Sequence, residues 1–173
     1  TLQSLLCHQH PGILKRALRD SKSRLMIISP WIRHQVVDRA FLIDLEEALK
    51  RGVKVHIGYG IDEGDKNTKG STPLQSKPAI TETAKRALDA LAKRFKNFKF
   101  VYVGNTHRKM LVSDDEFSVI TSFNWLSFRG DTKDKPRDEY GQLVRKQSYV
   151  DRHYAEGLSL IEQGYSGEIQ ETR

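Results

Sequence analysis

The stretch Thr106-His107-Arg108-Lys109-Met110-Leu111-Val112-Ser113-Asp114 places a histidine and a lysine two residues apart at the head of an apolar run. Side chains alternate along an extended strand, so His107 and Lys109 leave one face and can share a ligand. After Asp114-Asp115-Glu116 the chain returns as a neighbouring strand and delivers Thr121-Ser122-Phe123-Asn124, where Ser122 and Asn124 alternate together. Two strands thus converge an imidazole, an ammonium, a hydroxyl and an amide. The set suits a phosphodiester: a neutral imidazole can attack phosphorus while the other three hold the nonbridging oxygens as charge builds on them. It calls for no metal and no organic cofactor, and none is expected. A histidine beside a strand is by itself more often structural or simply exposed. The spacing of its partners sets this one apart.

The elements that must carry these residues follow from periodicity. Pro11 suits a first helical turn, and Ile13, Leu14, Ala17 and Leu18 recur at helical spacing up to about Ser21. Arg24 to Ser29 is a buried-strand run stopped by Pro30. Asp38 caps a second helix with the stripe Phe41, Leu45, Ala48 and Leu49, and Gly52 ends it before the strand Val53 to Tyr59. Strand, helix, strand with a short joint reads as a right-handed parallel crossover, so the fold class is α/β with a mixed β-sheet flanked by helices. Ile61 to Pro78 reads as a long loop of the kind that serves a site. Ile80, Ala84, Leu88, Leu91 and Phe95 stripe a third helix. Phe98 to Val103, Lys109 to Ser113 and Phe117 to Thr121 read as three tightly joined strands forming a meander. Arg129 to Asp138 is a polar loop, Glu139 to Val144 a strand, and Val150, Tyr154, Leu158 and Ile161 stripe a last helix. The tail from Gly164 is expected to fray.

With 173 residues and 38% hydrophobic content, one domain spanning residues 1–173 is the default expectation. Charged residues make up 29%, and no apolar stretch approaches the roughly 20 residues that span a bilayer. A membrane partner is not expected. The start lacks both a basic leader and an initiator Met, which suggests a segment excised from a longer chain rather than a signal peptide. Cys7 is the sole cysteine; that excludes an intrachain disulfide and fits a reducing, cytoplasmic setting. The net charge of +7 is concentrated, because Lys77 to Lys109 holds nine Lys or Arg residues against Glu82 and Asp89. Lys85, Arg86, Lys93, Arg94 and Arg108 are the expected contacts to a polyanion. A solvated, Lys-rich helix face is the alternative.

His107, Lys109, Asp114, Thr121, Ser122 and Asn124 stand at the spacing of the phospholipase D superfamily signature, which this chain resembles. It departs at one place, where Thr121 replaces the usual Gly, a change that a position without positive φ accepts. Ser29-Pro30 and Arg51 to Val55 also look like this family, so the resemblance covers most of the chain. It implies a phospholipase D-like half-unit with His107 as nucleophile, Lys109, Ser122 and Asn124 as phosphate cradle, and Asp114 as a support. Glu139 resembles the carboxylate that orients the histidine.

One motif supplies one histidine, whereas the chemistry needs one to attack and one to protonate the leaving oxygen. Family members with one copy resemble the bacterial endonuclease type, in which two identical chains pool their motifs on a two-fold axis, so a homodimer joined through the motif face is expected. A second domain in a longer parent chain is the other source of the missing half. The resemblance implies a metal-independent phosphodiesterase that cleaves DNA or RNA through a phosphohistidine. The rivals are phospholipid cleavage or phosphatidyl transfer by the same chemistry, and a silent nucleic-acid-binding module. Trp31 and Trp125 could stack bases or pack in the core. His8 and His10 have the spacing of a metal pair without partners to complete a cage. Arg129-Gly130-Asp131 reads as loop chemistry.

Overall fold

In the computed structural model, residues 1–61, 78–131 and 135–167 are described. The chain order is β1 (Leu2–Leu6), α1 (His10–Asp20), β2 (Arg24–Ile28), α2 (Arg39–Lys50), β3 (Lys54–Tyr59), α3 (Glu82–Arg94), β4 (Phe98–Tyr102), β5 (Met110–Ser113), β6 (Phe117–Thr121), β7 (Tyr140–Val144) and α4 (Gln147–Gln163). Local chemistry explains the boundaries. Pro11 lies in the first turn of α1, where its missing N–H costs nothing. The Asp38 carboxylate accepts from Phe41 N at 2.9 Å and caps α2. Gly52 takes φ +89° directly after α2, a conformation L side chains resist.

The strands form one mixed sheet in the order β1-β7-β6-β5-β2-β3-β4. The crossovers β2-α2-β3 and β3-α3-β4 make parallel pairs, with Ile27 opposite Ile57 and Ile57 opposite Phe100. β5 runs antiparallel to both β2 and β6. The expected meander is therefore corrected: β4 lies on the far side of β2 and β3 from β5. A helical crossover carries β4 to the β3 edge, and the segment after it must pass over the strand ends to reach β5. The opposite edge is β1, which the sequence did not announce because only Leu5 of its five residues is buried. Residues 62–77 of the expected Ile61–Pro78 loop and residues 132–134 of the second loop lie outside the described residues. At the other end, Tyr165 N donates to Val103 O at 2.7 Å, and residues 168–173 of the tail expected to fray lie outside the described residues.

The central strands are buried on both faces, which is why they read as continuous apolar runs. Leu25 and Ile27 of β2 point into a core shared with α1, α2 and α3, while Met26 and Ile28 point into a second core capped by Val150, Leu160 and Ile161 of α4. Among the described residues, no helix is long and apolar enough to cross a membrane.

Candidate active site

The path from β4 to β5 builds the site. Val103 N donates to Tyr59 O at 2.8 Å and Thr106 N to Gly60 O at 3.0 Å, so the chain crosses the C-terminal ends of the parallel strands. Gly60, at φ +146°, lets the two backbones meet; a Cβ there would collide with the carbonyl of Gly104. Buried Thr106 then accepts from Arg108 N at 3.1 Å through its hydroxyl. His107 is held between these anchors on an exposed turn, and its ring makes no hydrogen bond among the described residues. The Lys109 ammonium donates to His107 O at 3.0 Å.

β6 brings the second half of the motif to the same edge. Thr121 N donates to Lys109 O at 3.3 Å, one step past the ladder pair Met110 and Ile120. Ser122 is gripped by β7: its N–H donates to Tyr140 O at 3.1 Å, its hydroxyl oxygen accepts from Tyr140 N at 3.0 Å, and its O–H donates to the Glu139 carboxylate. Within this chain Glu139 is thus bonded to Ser122, where the resemblance implied His107. Asn124 is half-buried, and its Oδ1 is shielded without a hydrogen-bond partner among the described residues. Ser29 closes the arrangement, donating to Trp31 O at 2.9 Å and accepting from Leu126 N at 3.2 Å, which staples the end of β2 to the segment after the motif.

Asp114 is elsewhere. It follows β5 while His107 precedes it, so the two lie roughly 20 Å apart at extended-strand rise. Its carboxylate accepts from Lys22 N at 2.9 Å, Ser23 N at 2.7 Å, Ser23 Oγ at 2.9 Å and Arg24 N at 3.0 Å. Burial by itself would raise its pKa; the hydrogen bonds from Arg24, Ser23 and Lys22 outweigh it and hold the carboxyl below its usual range. The backbone there has φ 52°, a left-handed turn that Asp tolerates. Asp114 is thus a clamp between the β5–β6 turn and the start of β2. Asp114→Ala should lower the unfolding free energy by about 2–3 kcal/mol in urea denaturation, since charged acceptors of several amides are lost together. An unchanged midpoint would show that the clamp contributes nothing.

The expected polyanion contacts divide. Lys85 pairs with Asp89 at 2.9 Å, Arg86 with Glu82 at 3.1 Å, and Arg94 with Glu46 of α2. Helix α3 starts beside Ile32, at the site edge, and runs away from it, so Lys93 and Arg94 lie about 12 Å farther along the axis than Lys85 and Arg86. Arg108, in contrast, is exposed at the site, and among the described residues its side chain bonds only the Glu156 carbonyl, at 3.4 Å. The fold adds cations that sequence distance concealed. Arg33 lies over the half-exposed Trp31 ring at 5.0 Å, its N–H bonded to Leu126 O, and Arg137 lies over Phe128 at 4.1 Å.

Two further expectations are settled by burial. Trp125 is fully buried against Phe123 and His10, so it packs in the core and cannot stack a base. His10 is fully buried and bonded through both ring nitrogens, which removes it from any metal pair with His8. Among the described residues no group of three or more His, Cys, Asp or Glu side chains could hold a metal ion.

A mixed sheet between helical layers, with this motif at its strand ends, defines a phospholipase D-type unit. The chain belongs to that family: the model described as cardiolipin synthase, PLD-like domain matches residues 14–130. Among solved structures, it is similar to Nuc of Salmonella typhimurium, a phospholipase D family member, with a TM-score of 0.64 and 15% identity over 95% of this chain and 96% of that one. NucT from Helicobacter pylori matches with a TM-score of 0.63 and 14% identity, over 95% of this chain and 99% of that one. Phosphatidylserine synthase of Haemophilus influenzae gives 0.65 and 15%, over 94% of this chain but 39% of that one. At these identities the likeness shows the fold alone. No curated protein matches the chain.

Proposed function

We propose that this protein is a metal-independent phosphodiesterase that cleaves nucleic acid through His107, in a site completed by a second copy of the chain. The observation that carries the reading is the meeting of β5 and β6 at one sheet edge, which brings His107 and Lys109 beside Ser122 and Asn124. His107 attacks phosphorus as the P–O bond to the leaving group breaks, and the partner's His107 gives that oxygen its proton. Lys109, Ser122 and Asn124 hold the nonbridging oxygens. Water, giving a proton back to the partner's His107, then cleaves the P–N bond and frees both histidines.

Several observations support the nucleic-acid substrate and the dimer. Arg108 lies within the motif, and Arg33, its backbone N–H bonded to Leu126 O just after the motif, lies over the partly exposed Trp31 ring. The chain matches nearly the full length of Nuc and NucT, as a single unit would. Leu6, Ile120 and Tyr140 share one exposed sheet face next to Ser122 and Glu139, an apolar fringe suited to contact between copies. Similarity to a phosphatidylserine synthase keeps a phospholipid substrate as the second reading.

Purified protein incubated in excess EDTA with single-stranded DNA, duplex DNA, RNA and phosphatidylcholine vesicles tests the reading. Cleavage of a nucleic acid should proceed undiminished by the chelator, because the cradle neutralises the phosphate itself. Loss of activity with EDTA and its return with magnesium would reject the mechanism. Turnover of the vesicles alone would shift the substrate to lipid.

A further inference from the structure

We propose that His10 is a positioning residue for this reaction, acting through Thr121 to fix the Thr121–Asn124 turn that presents the phosphate cradle; the proposal rests on the phosphodiesterase reading. His10, the first residue of α1, is far from the motif in sequence but fully buried beneath it. Its Nδ1 faces two carbonyls, Leu6 O at 2.8 Å and Cys7 O at 3.3 Å. Carbonyls only accept, so Nδ1 carries the proton and Nε2 of the neutral ring is an acceptor. The group facing Nε2 is the Thr121 hydroxyl, at 2.7 Å. Burial pushes the His10 pKa down, with the two carbonyls raising it in part, which keeps the ring neutral.

Thr121 passes the constraint on in two directions. Its oxygen accepts from Phe123 N at 3.0 Å and lies 3.2 Å from Tyr140 O, the carbonyl that also receives Ser122 N. The His10 ring stacks on Phe123 at 4.5 Å with 10° between planes. Thus the residues on either side of Ser122 are both held by one imidazole. The packing leaves no slack: a Cβ on Gly141 would stand 2.8 Å from both His10 Nε2 and Thr121 Oγ1. The family signature carries Gly where this chain has Thr121, and no positive φ is required there, since among described non-glycine residues only Asp114 has one.

Thr121→Val, which is nearly isosteric, removes the hydroxyl and Thr121→Ser restores it. Steady-state kinetics on a nucleic-acid substrate should show kcat falling about 10- to 100-fold in Thr121→Val with KM within twofold, and near wild-type kcat in Thr121→Ser. His10→Phe should lose kcat similarly, and the double variant His10→Phe/Thr121→Val should be no worse than either single one. A folded Thr121→Val enzyme with unchanged kcat overturns the proposal, as does a loss confined to melting temperature. Should His10→Phe fail to fold, the two Thr121 variants decide. If wild type cleaves nothing, the phosphodiesterase reading falls separately, and crystal structures of wild type and Thr121→Val are compared instead. Displacement of the Ser122 hydroxyl from Glu139 then supports the positioning role, and an unmoved pair rejects it.

Discussion

His107→Ala should abolish turnover, by roughly 10⁴-fold or more, while leaving nucleic-acid affinity largely in place. The proposed nucleophile has no substitute in the motif, which holds no other histidine. Its removal should cost no more than about 0.5 kcal/mol of folding stability, since the ring is exposed and unbonded among the described residues. Binding, in contrast, is spread over many phosphate contacts, each releasing counterions, and loses none of its cations in this substitution. Cleavage assays paired with fluorescence anisotropy at two salt concentrations separate the two effects. Retained cleavage would remove His107 from the nucleophile's role; collapsed affinity with intact folding would place it in binding instead.

Mixing wild-type and His107→Ala chains under conditions that allow exchange should reduce activity as the square of the wild-type fraction, so an equal mixture keeps about a quarter. The expectation follows from counting: in-line displacement needs a nucleophile and a general acid on opposite sides of phosphorus, and one chain supplies one His107. In the proposed dimer two-fold symmetry would bring equivalent residues together near the axis, so each dimer would have one composite site and each mixed dimer would lack a histidine. A linear decline would mean that every chain works alone. A fully active monomer at the assay concentration would refute the shared site.

Elements governed by local chemistry were legible in the sequence. Asp38 and Gly52 bound α2 as their chemistry requires, and the apolar stripes of α1 and α2 and the residues Ala84, Leu88 and Leu91 of α3 became helix faces turned to the core, while Ile80 and Phe95 of the expected third stripe fall just outside α3. Motif spacing singled out His107, Lys109, Ser122 and Asn124, the residues of the proposed site, because strand periodicity and a tight turn are properties of neighbouring residues. Ser29 shows the limit. The sequence marked it as a strand end, but its bonds to Trp31 and Leu126 depend on where β2 lies in the sheet.

What tertiary structure decided is what long-range placement decides. Strand order cannot be read from strand identity, so β4 appeared to adjoin β5 when two strands separate them. Charge counted along the chain pointed to α3, yet three of its cations found carboxylates, one of them on α2, while Arg33 came from a distant segment to bond Leu126, just after the motif. The function of His10 was invisible for the same reason. A histidine declares its chemistry only through what it touches, and only the assembled sheet, with β1 laid along β7 and Gly141 yielding room, brings Thr121 to its ring. Sequence by itself determined which groups could act on a phosphodiester; burial and strand order determined which of them are bonded, which are paired off, and what holds them still.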